Sequence, residues 1–165
     1  MSTTPKSPDN ANSLAARMSK LPTLSARDWY LIYSACLLMP VVWLSLRVFG
    51  LLRTLAWSVA PLQTGQISDS RGLTPAVLGR LVNIAARYGP IRAACLVRSL
   101  VLIRILSGCG VNGTLQIGAR KGVSSPLDAH AWVEYDGIPV NDHPYVARDF
   151  AVFDTLDTAV IGARL

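Results

Sequence analysis

The sequence predicts an α+β fold in which a helix carrying a cysteine packs on a small antiparallel sheet carrying a histidine and an aspartate, preceded by apolar N-terminal helices. Three observations predict it. Apolar residues recur at helical spacing from Val77 to Leu106, the period switches to alternation after Gly113, and Tyr135-Asp136-Gly137-Ile138 is a hairpin signature between two alternating runs.

Residues 1–28, rich in Ser, Thr, Pro, Asn and Ala, have no apolar core followed by a small-residue cleavage site, so they read as a disordered lead-in and not as a secretory signal. Residues 29–60 are the most apolar stretch. Their uncharged part, 29–46, only just reaches the length a bilayer requires, and Pro40, Arg47 and Arg53 interrupt the pattern. Two packed or interfacial helices divided near Pro40 account for it at least as well as a span, which leaves core or partner-binding helices, a membrane surface and a true membrane span as the readings of residues 29–60. The polar run Gln63 to Ser70 closes this apolar region and linker, 29–71, and a catalytic domain is expected over 72–165.

Within that domain Thr74 and Pro75 supply an N-cap and a first-turn proline. Val77, Leu78, Leu81, Val82 and Ile84 then form the apolar face of a helix ending near Tyr88-Gly89. Pro90 stops it, and a second helix runs from about Ala93 to Gly108, with Cys95 in its first turns. Thr114–Arg120 alternates as a strand, a loop of Lys121 to Asp128 follows, and a second strand occupies 129–135. A third, Ile138 to Asn141, ends at Asp142-His143-Pro144.

The sixteen Lys and Arg against ten Asp and Glu give a net charge of +6, but the arginines are dispersed through apolar sequence and not clustered with aromatics, which argues against nucleic acid as a partner. Cys36, Cys95 and Cys109 form neither a paired framework nor a Cys-x-x-Cys, so no disulfide scaffold and no structural zinc is expected, and a reducing cytoplasm is the expected location.

A thiol attacks carbonyls as its thiolate, so it needs an imidazole to hold its proton and a third polar group to fix that imidazole. Cys95, His130 and Asp142 occur in that order, as in papain-like and transglutaminase-like sites. The start of a helix favours an anion at Cys95. Cys109, at a helix end, is the weaker nucleophile, and Cys36 is read as packing. His130 stands in the strand Ala129-His130-Ala131-Trp132-Val133, flanked by small residues that leave room for an approaching helix, whereas His143 lies in a loop. Arg98 and Trp132 are read as a solvated helix arginine and a packed tryptophan.

The hairpin gives two geometries. A three-residue loop, Tyr135-Asp136-Gly137, puts Asp142 across from His130. A two-residue loop, Asp136-Gly137, pairs Val133 with Val140, sets His143 opposite His130 with Asn141 diagonal to it, and turns Asp142 to the other side. Pattern alone leaves Asp142 and Asn141 both open as the residue that orients the imidazole.

The blocks Cys95-Leu96-Val97-Arg98-Ser99-Leu100, Gly118-Ala119-Arg120, Ala129-His130-Ala131-Trp132-Val133-Glu134-Tyr135-Asp136-Gly137 and Asn141-Asp142 resemble the transglutaminase-like leader peptidases of lasso-peptide biosynthesis, over roughly residues 72–145. The resemblance implies a catalytic triad of Cys95, His130 and Asp142, and so selects Asp142 over Asn141. It further implies a bacterial cysteine peptidase, needing no metal or organic cofactor, that cuts between leader and core of a ribosomal precursor peptide and frees the core amino terminus for a separate ATP-dependent lasso cyclase. Residues 1–71 show no three-strand recognition domain, so the chain is similar to the standalone form, the C-terminal half of a split B protein, served by a separate leader-recognition protein. The implied location is cytoplasmic, with peripheral contact to the inner membrane through residues 29–60 left open. Two rivals remain: another thiol-dependent amide hydrolase or acyltransferase on the same scaffold, and a non-catalytic membrane-associated adaptor.

Overall fold

The computed structural model describes residues 25–60, 73–89, 94–121 and 127–162. Most of the expected lead-in, the polar linker, Pro90 and the centre of the loop before the second strand lie outside these residues. Nine elements follow in order: α1 (Ala26–Val59), α2 (Pro75–Tyr88), α3 (Cys95–Gly108), β1 (Thr114–Arg120), β2 (Asp128–Tyr135), β3 (Ile138–Pro139), α4 (Val146–Asp149), β4 (Ala151–Asp157) and α5 (Thr158–Gly162). The strands form one antiparallel sheet in the order β3-β2-β1-β4, with the helices α1–α3 on one face. The α+β expectation holds.

Helix α1 starts at a capping box: the Ser25 hydroxyl accepts the Asp28 N–H, and the Asp28 carboxylate accepts the Ser25 N–H at 2.9 Å. It does not divide near Pro40, as the sequence suggested. The helix continues through that residue, where Ala35, Met39 and Val42 on the same side are wholly buried, and the break falls at Gly50, with φ 77° and ψ −179°. A proline costs an interior helix a hydrogen bond that burial of its neighbours can offset, whereas this backbone conformation is essentially open to glycine alone. Beyond Gly50 the chain turns back. Thr54 donates to the Gly50 carbonyl at 2.8 Å, and Ser45, nine residues earlier, donates to Thr54 at 2.9 Å, a separation that a straight helix would stretch to about 13 Å. The second arm is held at its carbonyl end from α3, where Arg104 donates to the Trp57 and Ala60 carbonyls and Ser107 to that of Val59.

Thr74 caps α2 as expected, accepting the Val77 N–H, and Gly89 ends it. Leu31, Ala35, Met39 and Leu55 of α1, Leu78, Leu81 and Ala85 of α2, Leu100, Ile103 and Leu106 of α3, and Leu115, Ala131 and Val133 of the sheet make one continuous core. The opposite sheet face carries a smaller cluster of Trp132, Val146 and Phe150. Beyond Pro144 the sequence pattern marks no helix or strand within the expected domain; β4 pairs there with β1 through a register shift at Ile117/Gly118.

The hairpin is the two-residue form, pairing Tyr135 with Ile138 and Glu134 with Pro139. Asp136 and Gly137 both take positive φ, 51° and 74°, as the type I′ turn demands. Pro139 occupies a non-hydrogen-bonded pair, where its missing N–H costs nothing. β3 is shorter than expected, ending at Pro139 and not Asn141.

Gly50→Ala should lower the stability of the whole domain by about 1–3 kcal/mol, read by urea unfolding, because nothing crowds that position and the cost is wholly that of the backbone conformation.

Candidate active site

Where β3 ends, one side chain replaces the ladder. Val140 still donates to the Val133 carbonyl at 2.9 Å, but the return bond from the Val133 N–H goes to the Asn141 side-chain oxygen at 2.8 Å. Asn141 is buried; its amide nitrogen donates to Ser99 on α3 at 3.0 Å, and Ser99 donates to the Ala131 carbonyl on β2 at 3.1 Å. Helix α2 closes the other side. Asn83 donates to the Asn141 carbonyl at 2.9 Å, and a Cβ at Gly79 would overlap the Val140 carbonyl. Released from the ladder at this point, Asp142 turns to His130.

The Asp142 Oδ2 atom lies 2.6 Å from His130 Nε2, and its Oδ1 accepts the His143 N–H at 2.9 Å. This corrects the two geometries weighed above. The register is the one in which a regular strand would carry Asp142 away from His130, and Asp142 reaches it because β3 ends at Pro139 and the Asn141 side chain takes the next ladder bond. Burial pushes the Asp142 carboxyl up. The hydrogen bonds from His130 and the His143 backbone, with the charges of His130 and Arg98, outweigh that and hold it below the ordinary carboxylate range.

His130 shares a sheet face with Trp132 and Glu134, and its β1 partner across the ladder is Gly118. That glycine leaves a gap which Phe150 and the Trp132 ring fill, to within 3.0 and 3.1 Å of where a Cβ would stand. Phe150 stacks on the imidazole with centroids 4.9 Å apart, and the Arg120 guanidinium lies over the phenyl ring at 4.5 Å. Trp132 stacks at 6.1 Å, its indole N–H fixed by Glu134 at 2.9 Å and that carboxylate fixed by Gln116 at 3.0 Å. With Nε2 occupied by Asp142, Nδ1 is the ring nitrogen left for a thiol.

Cys95 is the first residue of α3, half-buried, one helical turn before Ser99. Among the described residues no hydrogen bond joins it to His130. The two elements meet at the edge of β2 that the short β3 leaves uncovered, where Arg98 of α3 brings its Nη2 to 3.8 Å from Asp142. Ala94 offers α3 no side-chain cap, so among the described residues nothing competes for the N–H groups of its first turn.

Other residues diverge from their reading in the sequence. Arg98 faces Asp142 and is not a solvated arginine, whereas Trp132 is packed, as expected. Phe150 and Gly79 have no spacing signal linking them to His130, and Ser99 stands in the Cys95 block without any sign that it meets Asn141 and β2. His143 sits 3.3 Å from Asp149, and burial pushes the Cys109 thiol up, only partly countered by the charge of Arg27. Cys36 packs with its thiol 3.8 Å from the Ala85 carbonyl. No group of His, Cys, Asp or Glu among the described residues could hold a metal ion.

Two measurements follow from this geometry. Asn141→Leu leaves the Val133 N–H and the Ser99 hydroxyl without their partner and should cost about 2–4 kcal/mol in urea unfolding. The depressed Asp142 carboxyl stabilises the fold fully above its unfolded value of about 4 and loses that contribution as the pH falls through the lower native value. The difference in melting temperature between the native chain and Asp142→Asn should therefore shrink steadily on acidification below about pH 4.

The chain has no match among curated proteins and none among solved structures. Residues 35–155 match the family profile described as the transglutaminase-like superfamily, whose members are generally cysteine-dependent hydrolases and transferases. The chain belongs to the transglutaminase-like superfamily.

Proposed function

We propose that the chain is a cysteine peptidase that removes the leader from a lasso-peptide precursor, with Cys95 as nucleophile, His130 as general base and acid, and Asp142 as the group that orients the imidazole. The observation that carries the reading is the His130–Asp142 contact at 2.6 Å, set beside the start of the helix that begins with Cys95. The resemblance of the Cys95, His130 and Asn141-Asp142 blocks to leader peptidases supplies the substrate class.

The Cys95 thiol gives its proton to His130 Nδ1, and the sulfur attacks the scissile carbonyl. The tetrahedral oxyanion is met by the N–H groups at the start of α3, which no described residue caps. Collapse breaks the C–N bond, His130 protonates the leaving amine, and the core peptide departs with a free amino terminus. A water, deprotonated by His130, then hydrolyses the leader thioester and restores the thiol. Asp142 keeps Nε2 protonated throughout and balances the imidazolium. The reaction requires the thiol to close on Nδ1 when substrate fills the edge of β2. The precursor arrives on a separate recognition protein, the product passes to an ATP-dependent cyclase, and the setting is the cytoplasm.

With precursor and recognition protein supplied, Cys95→Ala and His130→Ala should each reduce cleavage by roughly a thousandfold or more, followed by mass spectrometry, with the melting temperature of Cys95→Ala kept. The leader product should carry a free carboxylate. Turnover surviving Cys95→Ala would sink the thiol mechanism, and a leader released as an amide would replace hydrolysis by acyl transfer.

A further inference from the structure

Helix α1 is apolar on two opposite faces. Leu31, Ile32, Ala35, Met39 and Val42 face the domain core, while Tyr30, Tyr33, Leu37, Val41, Leu44 and Val48, on the far side of the same helix, are each 50–67 % exposed. A helix on the outside of a water-soluble domain places polar residues there. The helix is also long and apolar enough to cross a membrane, but its inner face supplies part of the core under α2 and α3, so crossing would strip that core.

The turn at Gly50 sharpens the pattern. Val48, Phe49 and Leu52 stand at its apex, 62, 58 and 71 % exposed, with Arg47 and Arg53 exposed on either side. Arg47 lies with its guanidinium 5.5 Å from the centre of the Trp43 ring. From Trp29 to Ser68 the sequence contains no acidic residue. The charge of the described residues is divided in the same sense: helices α1–α3 hold seven Arg against one Asp, and residues 114–162 hold three Lys and Arg against seven acids.

We infer that the apex around Gly50 and the outer stripe of α1 dock on an anionic lipid bilayer surface, with Phe49 and Leu52 entering the interface and Arg47 and Arg53 meeting the lipid phosphates. An exposed apolar tip bracketed by arginines fits a deformable anionic interface, where long basic side chains reach the headgroups while their stems lie in apolar surroundings. The uneven charge turns the helical half toward such a surface and the acidic sheet half away from it. The inference is independent of the thiol chemistry, because binding is read without substrate.

The test is flotation of the full chain with phosphatidylcholine vesicles, alone or with about one-third phosphatidylglycerol. The chain should float with the anionic vesicles and largely stay behind with neutral ones. Arg47→Gln and Arg53→Gln should each weaken binding about fivefold, and Phe49→Glu with Leu52→Glu should abolish it while circular dichroism and melting temperature stay unchanged. Failure to float, equal binding to both vesicle types, or binding indifferent to the apex substitutions would overturn the proposal. A dimer in light scattering that Phe49→Glu dissociates would assign the face to a second copy instead. Retention in the vesicles after alkaline carbonate would mark a membrane span and overturn a surface attachment.

Discussion

The architecture depends on the buried side chain of Asn141. It takes the N–H of Val133 that a longer β3 would have claimed, it donates to Ser99 of α3, and its own carbonyl is held by Asn83 of α2. One residue thus ties the hairpin to both helices at the point where the sheet edge opens. Each bond is worth about 1 kcal/mol when made, but each buried partner left unmade costs about 1–3 kcal/mol. The arrangement is therefore held more by the penalty for breaking it than by the gain from forming it. Asp142 inherits its direction from this tie, and the His130 imidazole inherits its direction from Asp142.

That dependence explains what the sequence disclosed and what it hid. Local signals were strong wherever a local rule decides: the Thr74-Pro75 start of α2, the alternation of Thr114–Arg120, and the Asp136-Gly137 turn all sit where their chemistry put them. The route of Asp142 could not be read that way, because both geometries considered assumed a strand that keeps pairing. A side-chain amide standing in for a backbone carbonyl leaves no periodic trace. The partners of His130 were hidden for a related reason. Phe150 comes from a segment with no recognisable pattern, and its place depends on the absence of a side chain at Gly118 on a neighbouring strand.

Pro40 and Gly50 make the same point within one helix. Proline is the louder signal, yet a helix whose inner face is buried on both sides of it runs through. Glycine is the quieter one, but only glycine adopts the backbone conformation at the turn. Arg104 extends the lesson to charge. In the sequence it is one more arginine in an apolar run, and in the fold it satisfies the carbonyls that end the second arm of α1.

The two halves of the candidate site are secured unequally. The imidazole is fixed by Asp142 at one nitrogen and by Phe150 stacked on the ring. Cys95 stands at the head of α3, partly buried against the apolar core and with no polar partner among the described residues. An acid–base group gains from rigidity, since its protons must pass in set directions, while a nucleophile that becomes covalently attached to its substrate must follow the carbonyl as it changes from planar to tetrahedral. For the proposed mechanism the tie through Ser99 serves both needs: it anchors α3 to β2 and Asn141 one turn beyond Cys95 and leaves the first turn outside that tie.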